Sequence, residues 1–496
     1  MAYTEHTSLS TNRPYYYNKL TGKSQWYKSD IHVNFPGRII IIGFGSIGQG
    51  VLPLILRHIG RITSDSIAII TADERGRDVA QEYGISFTIN PLTKENYRKI
   101  LVPMIDSGDF VLNVSVNVSS VAIMELCAER GALYLDTCSE PWEGDYIDDS
   151  VPPERRTNYH LREEILALRR KLGITSPTAV VTHGANPGLV QHFVKQALLD
   201  ISDNPVKEPT CREEWAELAR KLGVKVMHIA ERDTQVPTIA KKAGEFVNTW
   251  SVDGFVGEGS QPAELGWGVH EKHFPLDGRR QTEGSCCAIY LMQPGAATRV
   301  RTWTPHAGPF HGFLITHSES ISLSDYYTVK KDKSVLYRPT VHYAYHPADS
   351  AIVSLHELAG RNWQQQEMQR IMMNDILPNG IDELGILLAG HKKNAYWYGS
   401  QLSVDEARRL APHNSATSLQ VTVACLAGIV WAIENPNRGI LEPDEIDFRR
   451  ILDICMPYLG PVIGRYTDWT PLTGRSKLFP EDIDSSDPWQ FKNIRV

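Results

Sequence analysis

The chain has 496 residues, enough for about two to four domains with cores of their own, and its 51 Lys+Arg against 58 Asp+Glu leave a net charge of −7 with acids and bases interspersed. That balance argues against nucleic acid as the main partner. At 42% hydrophobic and 22% charged, with no continuous apolar run near the roughly 18 residues that span a bilayer, the sequence excludes a membrane-spanning and a disordered chain.

The 7 cysteines (127, 138, 211, 286, 287, 425, 455), odd in number and without a C-x-x-C pair, read as buried thiols of a reducing compartment, and no metal is expected. Residues 1–36 are polar and tyrosine-rich without a sustained period, so an arm packed on another surface is expected there. No apolar core follows a basic start, so no secretory signal is expected and the protein is placed in the cytoplasm.

Regular structure begins at Arg38. Ile39-Ile40-Ile41-Ile42 is a β-branched run suited to a parallel strand covered on both faces. Strands are expected at 67–70, 87–89, 110–114, 133–136 and 178–182, alternating with helices at 77–83, 94–105, 118–130 and 161–171. Such alternation means βαβ units and an α/β fold, a Rossmann doubly wound parallel sheet over 37–189. Aromatic, alternating stretches follow at 245–256, 288–292 and 312–317. They predict a second α+β substrate domain, 190–400, built on a largely antiparallel sheet. Residues 401–496 read as a helical segment packing back on the Rossmann domain.

Gly43-Phe44-Gly45-Ser46-Ile47-Gly48 closes the first strand and opens a helix, which is the context a dinucleotide-binding G-x-G-x-x-G requires. Gly43 makes the tight turn, Gly45 admits a pyrophosphate and Gly48 allows helix and strand to pack closely, with phosphate at the helix N-terminus. Pro53 should kink that helix or shift its start. Asp73, past the second strand, suits the ribose hydroxyls of NAD, whereas Arg75 and Arg77 could welcome the 2′-phosphate of NADP; both remain open, with NAD preferred. The candidate cofactor set is Gly43, Gly45, Ser46, Ile47, Gly48, Asp73, Ser115 and Thr137.

No G-x-S-x-G, H-E-x-x-H or P-loop occurs. His342 and His346 have metal-pair spacing, but their segment alternates and ends in Pro347, so a structural pair on a strand is the better reading. Carboxylates interleave with indoles at Glu140/Trp142, Glu231/Asp233, Trp250/Glu258 and Glu264/Trp267. Acids beside aromatic faces suit a cation, since an ammonium is held by charge pairing and by the ring quadrupole.

Longer motifs carry a resemblance. Ile42 to Gly48, Glu140-Pro141-Trp142, Gly184-Ala185-Asn186-Pro187-Gly188, His228 to Gln235, Asn248-Thr249-Trp250-Ser251, Gln261 to Gly268, His342 to Pro347, Gly380 to Gly385, Lys393 to Gly399 and Asp487 to Phe491 closely resemble the bacterial homospermidine synthases, in the same order from about residue 36 to the C-terminus. That family is similar to the saccharopine dehydrogenase group. The resemblance implies a homodimer that turns two putrescines into homospermidine and ammonia, with prosthetic NAD reduced and reoxidised in one turnover. It implies Trp250, Glu258, Glu140 and Asn117 as substrate-binding residues and Glu231, His317, Asn186 and Asp382 as catalytic ones. The family pattern has Asp where this chain has Asn117. In the implied mechanism Glu231, helped by His317, takes a proton from the amine to be oxidised, while Glu258 and Trp250 hold the distal ammonium. Two alternatives stand beside it. One is a saccharopine-type reductase using NADPH, with Arg299 and Arg301 as its carboxylate clamp; the other is a non-catalytic NAD or polyamine sensor.

Overall fold

The computed structural model describes residues 31–146, 148–202 and 207–496, together with the backbone of 3–7, 14–18 and 23–25. The last three segments form a three-stranded antiparallel sheet, so strands occur where the sequence showed no period. Of the arm expected at 1–36, residues 31–36 pack on the first domain, where Val33–Asn34 pairs with Ile59–Gly60 and Phe35 is buried against Phe110; where the rest would pack lies outside the described residues.

The first domain is a seven-stranded, all-parallel sheet. Its strands are β1 (Ile39–Ile42), β2 (Ile67–Thr71), β3 (Ser86–Ile89), β4 (Phe110–Asn113), β5 (Leu133–Asp136) and β6 (Ala179–Val180), in the order β6-β5-β4-β1-β2-β3, and Ile440–Leu441 pairs outside β6. All four isoleucines of β1 are buried, as a strand with helices on both faces requires. The order reverses between β1 and β4, which opens a crevice at their C-terminal ends. Helix α1 (Ser46–His58) runs through Pro53 without a break. The helix expected at 94–105 is only α2 (Tyr97–Leu101). Val102 before Pro103 keeps helical geometry (φ −54°, ψ −43°), but Pro103 has no N–H to continue the i→i−4 ladder, and the helix stops there.

The second domain is a ten-stranded sheet built around β7 (Val226–Asp233), β8 (Pro262–Gly266), β9 (Ala288–Pro294), β10 (Thr340–His346), β11 (Ile381–His391), β12 (Asn394–Ser403) and β13 (Val462–Thr467). All of its pairings are antiparallel except β7 with β10. Two alternating stretches are corrected. Only Glu245–Asn248 of 245–256 is strand, pairing with Met368–Ile371, and Val252–Ser260 is a helix started by the Ser251 side chain. The strand at 312–317 ends at Phe313, and a helix begins at Ser318.

The C-terminal hundred residues serve both domains. Helix α3 (Ala416–Glu434) lies against α1 and Ile440–Leu441 extends the parallel sheet, but β13 joins the other sheet, so this segment is not simply helical. By length and hydropathy α3 could cross a membrane, yet 89% of its apolar window is buried inside the protein, as in a core helix. Of the cysteines, 127, 287, 425 and 455 are buried, but Cys138 is half-buried and Cys211 and Cys286 are exposed, which corrects the all-buried expectation.

Candidate active site

A cleft of about 360 Å³ opens at the crevice between β1 and β4 and is lined by both domains. At one end stand Gly43, Gly45, Ser46, Ile47, Asp73, Ser115 and Thr137, together with Arg75 and Asn90. Gly43 has φ +84°, and a Cβ there would sit 2.7 Å from the Ser115 backbone, so this position needs glycine for the fold. Gly45 is different. Its φ is −73° and a Cβ would meet nothing within 4 Å, so neither strain nor crowding explains the glycine. The space it leaves open, at the N-terminus of α1, fits a ligand's phosphate. Gly48 does not line the cleft; a Cβ there would lie 2.9 Å from the Gly43 carbonyl, so it serves packing.

Asp73 accepts from the Arg75 backbone N–H at 2.9 Å and from its guanidinium at 2.7 Å, and the Arg75 bond holds its carboxyl below the usual range. Arg77 pairs with Glu74, stacks on Phe87 and is absent from the cleft wall. Of the two arginines considered for a 2′-phosphate, one is therefore committed to Asp73 and the other lies elsewhere.

The opposite end gathers Glu140, Asn117, Asn186, Glu231, Trp250, Glu258 and His317. Asn117 has φ +66°, a left-handed conformation that Asn and Asp tolerate better than most residues, and its N–H donates to Glu140 Oε2 at 3.1 Å. Its backbone does this work, which an Asp would do equally. Burial pushes Glu140 up to about 8. Glu231, on β7, is buried; its Oε2 accepts from Asn186 Nδ2 at 2.9 Å and from the Tyr343 hydroxyl at 2.5 Å. Burial raises its pKa, and these two hydrogen bonds pull it partly back.

His317 lies between two carboxylates, with Nε2 3.1 Å from Glu258 and Nδ1 3.2 Å from Glu319. Burial opposes its charge, but the two acids outweigh that and raise it to about 10. It is an imidazolium across the neutral range, has no hydrogen bond to Glu231, and reaches it through Tyr343, whose ring lies 4.4 Å away. A fixed cation of this kind orients Glu258, and its charge also favours the ionised form of Glu231. Trp250 donates its indole N–H to the Tyr345 hydroxyl at 3.3 Å and packs on Phe255.

Four expected members stand apart. Asp382 does not line the cleft; it is buried opposite Asp233 in the β7/β11 register, and burial with Glu231 and Asp233 nearby drives its pKa well up. Glu264 accepts the N–H groups of Asn158 and Tyr159 and the Thr316 hydroxyl, fixing the start of the helix Asn158–Leu172. Trp142 packs on Tyr97 and Trp267 on Phe274, both outside the cleft. Conversely, Tyr343, Tyr345 and Glu319 went unread in the sequence. Alternation in β10 was the signal for the tyrosines: with His342 and His346 on one face, Tyr343 and Tyr345 take the other, whereas Glu319, in the first turn of the helix that begins at Ser318, had none. His342 stacks on His228 away from the cleft, on the strand the sequence predicts.

A parallel dinucleotide-type domain whose crevice is closed by a mainly antiparallel second domain is the architecture of a two-domain, nucleotide-dependent oxidoreductase. The models of the saccharopine dehydrogenase NADP binding domain and C-terminal domain match residues 39–180 and 184–467. Homospermidine synthase of Blastochloris viridis is 55% identical over 474 residues, covering 94% of this chain and 98% of that protein; homospermidine synthase of Mesorhizobium japonicum is 50% identical over 478 residues with the same coverage. The crystal structure of the Legionella pneumophila homospermidine synthase in complex with NAD superposes with a TM-score of 0.88 at 49% identity, covering 94% of this chain and 99% of that one. The chain belongs to the homospermidine synthase family, and it is an enzyme of that type.

Proposed function

We propose that the protein joins two putrescines into homospermidine with release of ammonia, using an NAD that stays bound, and that it works as a cytoplasmic homodimer. The observation that carries this reading is a buried carboxylate, Glu231, set beside an indole and a further acid in a cleft whose other end leaves a phosphate-sized gap at Gly45. Gly43, Gly45, Ser46, Ile47, Asp73, Ser115 and Thr137 would hold the cofactor. When bound, NAD supplies a hydride acceptor that gives the hydride back within the same turnover, so the net redox change is zero.

The residues of the chain handle charge. Putrescine is a dication at neutral pH, because its amines have pKa values of about 10, and an ammonium carbon cannot be oxidised. Glu231 takes the proton from the end that reacts. Glu258, oriented by His317, and the Trp250 face hold the distal ammonium and so fix the reacting carbon. Glu140, which burial raises to about 8, ionises when an ammonium comes beside it. The saccharopine-type alternative lacks its clamp: Arg299 stacks on Phe313 and Arg301 donates to the Arg495 carbonyl, and neither lines the cleft.

The deciding experiment incubates purified protein with putrescine and NAD in an amount below that of the product formed. Homospermidine and ammonia in excess over total NAD support the reading, whereas product limited to one equivalent of cofactor refutes it. A size measurement in solution tests the dimer.

Trp250 separates cation holding from packing. Trp250→Phe keeps a weaker ring quadrupole and is expected to retain more kcat/KM for putrescine than Trp250→Leu, which loses about 0.5 to 2 kcal/mol of attraction. Equal kcat/KM in both variants, after correction for the folded fraction, would return Trp250 to a packing role.

A further inference from the structure

Strand β10 places two tyrosines on the cleft face of the large sheet, beside Glu231 of the parallel neighbour β7. Their rings stack at 5.1 Å and 14°. Tyr343 donates to Glu231 Oε2 at 2.5 Å, while its ring lies on His317; Tyr345 accepts from Trp250. Oε2 therefore takes both hydrogen bonds made to this carboxylate, one from Tyr343 and one from Asn186. Among the described residues Oε1 takes none, and it belongs to a side chain on the cleft wall.

Resting on the reading of Glu231 as the base, we propose that Tyr343 is a positioning residue that makes Glu231 one-sided: by occupying Oε2 together with Asn186, it leaves Oε1 as the atom that accepts the proton of the substrate ammonium. A carboxylate free to rotate could present either oxygen in any direction. One whose Oε2 is tied from two sides presents Oε1 along a single line, and proton transfer needs that alignment. The Tyr343 ring is itself held between the Tyr345 ring and the His317 imidazolium, so its hydroxyl has one rotamer to offer. The same bond favours the charged form of Glu231 and works against the burial that raises its pKa. The groups facing Glu231 include Asp233 on its own strand, Asp382 across β11, and Tyr343 and His317.

The test is the pH dependence of kcat/KM for putrescine. Glu231 works deprotonated, so activity falls as pH drops through its pKa. Tyr343→Phe removes a bond to the charged form and is expected to move that acid limb upward by about one to two pH units. Activity below the wild-type limb then drops tenfold or more and recovers to within a few-fold at high pH. Replacing Tyr343 with 3,5-difluorotyrosine, a more acidic phenol of the same shape, moves the limb downward. Tyr345→Phe, in the same stack but without a bond to Glu231, leaves the limb in place and changes KM.

A uniform loss at every pH with an unmoved limb in Tyr343→Phe overturns the proposal. If that variant does not fold, an unmoved limb in the difluorotyrosine protein overturns it equally. Should Glu231→Gln keep both activity and the acid limb, the base assignment itself is wrong, and that outcome is distinct from failure of Tyr343.

Discussion

Glu231→Gln is expected to keep its NAD, fold as the wild type does, and lose about 10² to 10⁴ in turnover, the range for removing a positioned general base. The replacement is nearly isosteric and its orientation is set in advance. Asn186 Nδ2 and the Tyr343 hydroxyl both donate to Oε2, so the amide oxygen must take that place and the NH₂ must face the cleft. The group meeting the substrate ammonium is then a donor that cannot accept a proton. Binding of the nucleotide at the far end is untouched. The measurement is the rate of nicotinamide reduction in a single turnover after mixing with putrescine, with released NAD quantified on the same preparation. Turnover within a few-fold of wild type removes Glu231 from the base role, and protein emptied of NAD reassigns it to cofactor binding.

Gly45→Val is the second large effect, and it reads cofactor content instead of rate. Gly45 lies at φ −73°, outside the left-handed region that demands glycine, and no atom lies within 4 Å of a Cβ placed there, so the cofactor-free fold should tolerate the change. What valine fills is the space for phosphate. Loss of that close approach is expected to weaken NAD by about 3 kcal/mol, roughly a hundredfold in affinity, leaving the purified variant largely empty. Gly43→Ala makes the contrast. At φ +84° with the Ser115 backbone 2.7 Å away, it should lower Tm of the cofactor-free protein directly. Nucleotide released on denaturation and Tm without added NAD are measured for each. If Gly45→Val retains a full complement of NAD, the phosphate is not held there.

By itself the sequence determined whatever depends on neighbours along the chain. The four-isoleucine run followed by G-x-G-x-x-G announces a parallel strand, a turn and a helix N-terminus, because strand burial and glycine geometry are local requirements. The β/α alternation through residue 180 follows for the same reason; the long family motifs contain Glu140, Asn186, Glu231 and Trp250, and the resemblance they carry implied Glu258 and His317 as well. Local pattern failed where a neighbouring element decided the outcome. Residues 245–256 read as one alternating stretch, yet from Val252 they belong to a helix, since only 245–248 finds a strand partner. Acid beside indole did not discriminate either, because Glu264 satisfies backbone N–H groups at a helix start while Glu231 faces a cleft, and nothing near them in sequence tells the two apart. The tertiary structure alone decided the charge on His317 and the state of Asp382. The first depends on Glu258, from another helix, as well as on Glu319, and the second on carboxylates brought close by the register of β7 with β11. Electrostatic energies in a buried site are set by distance and burial, and both arise only when strands far apart in the chain are laid side by side.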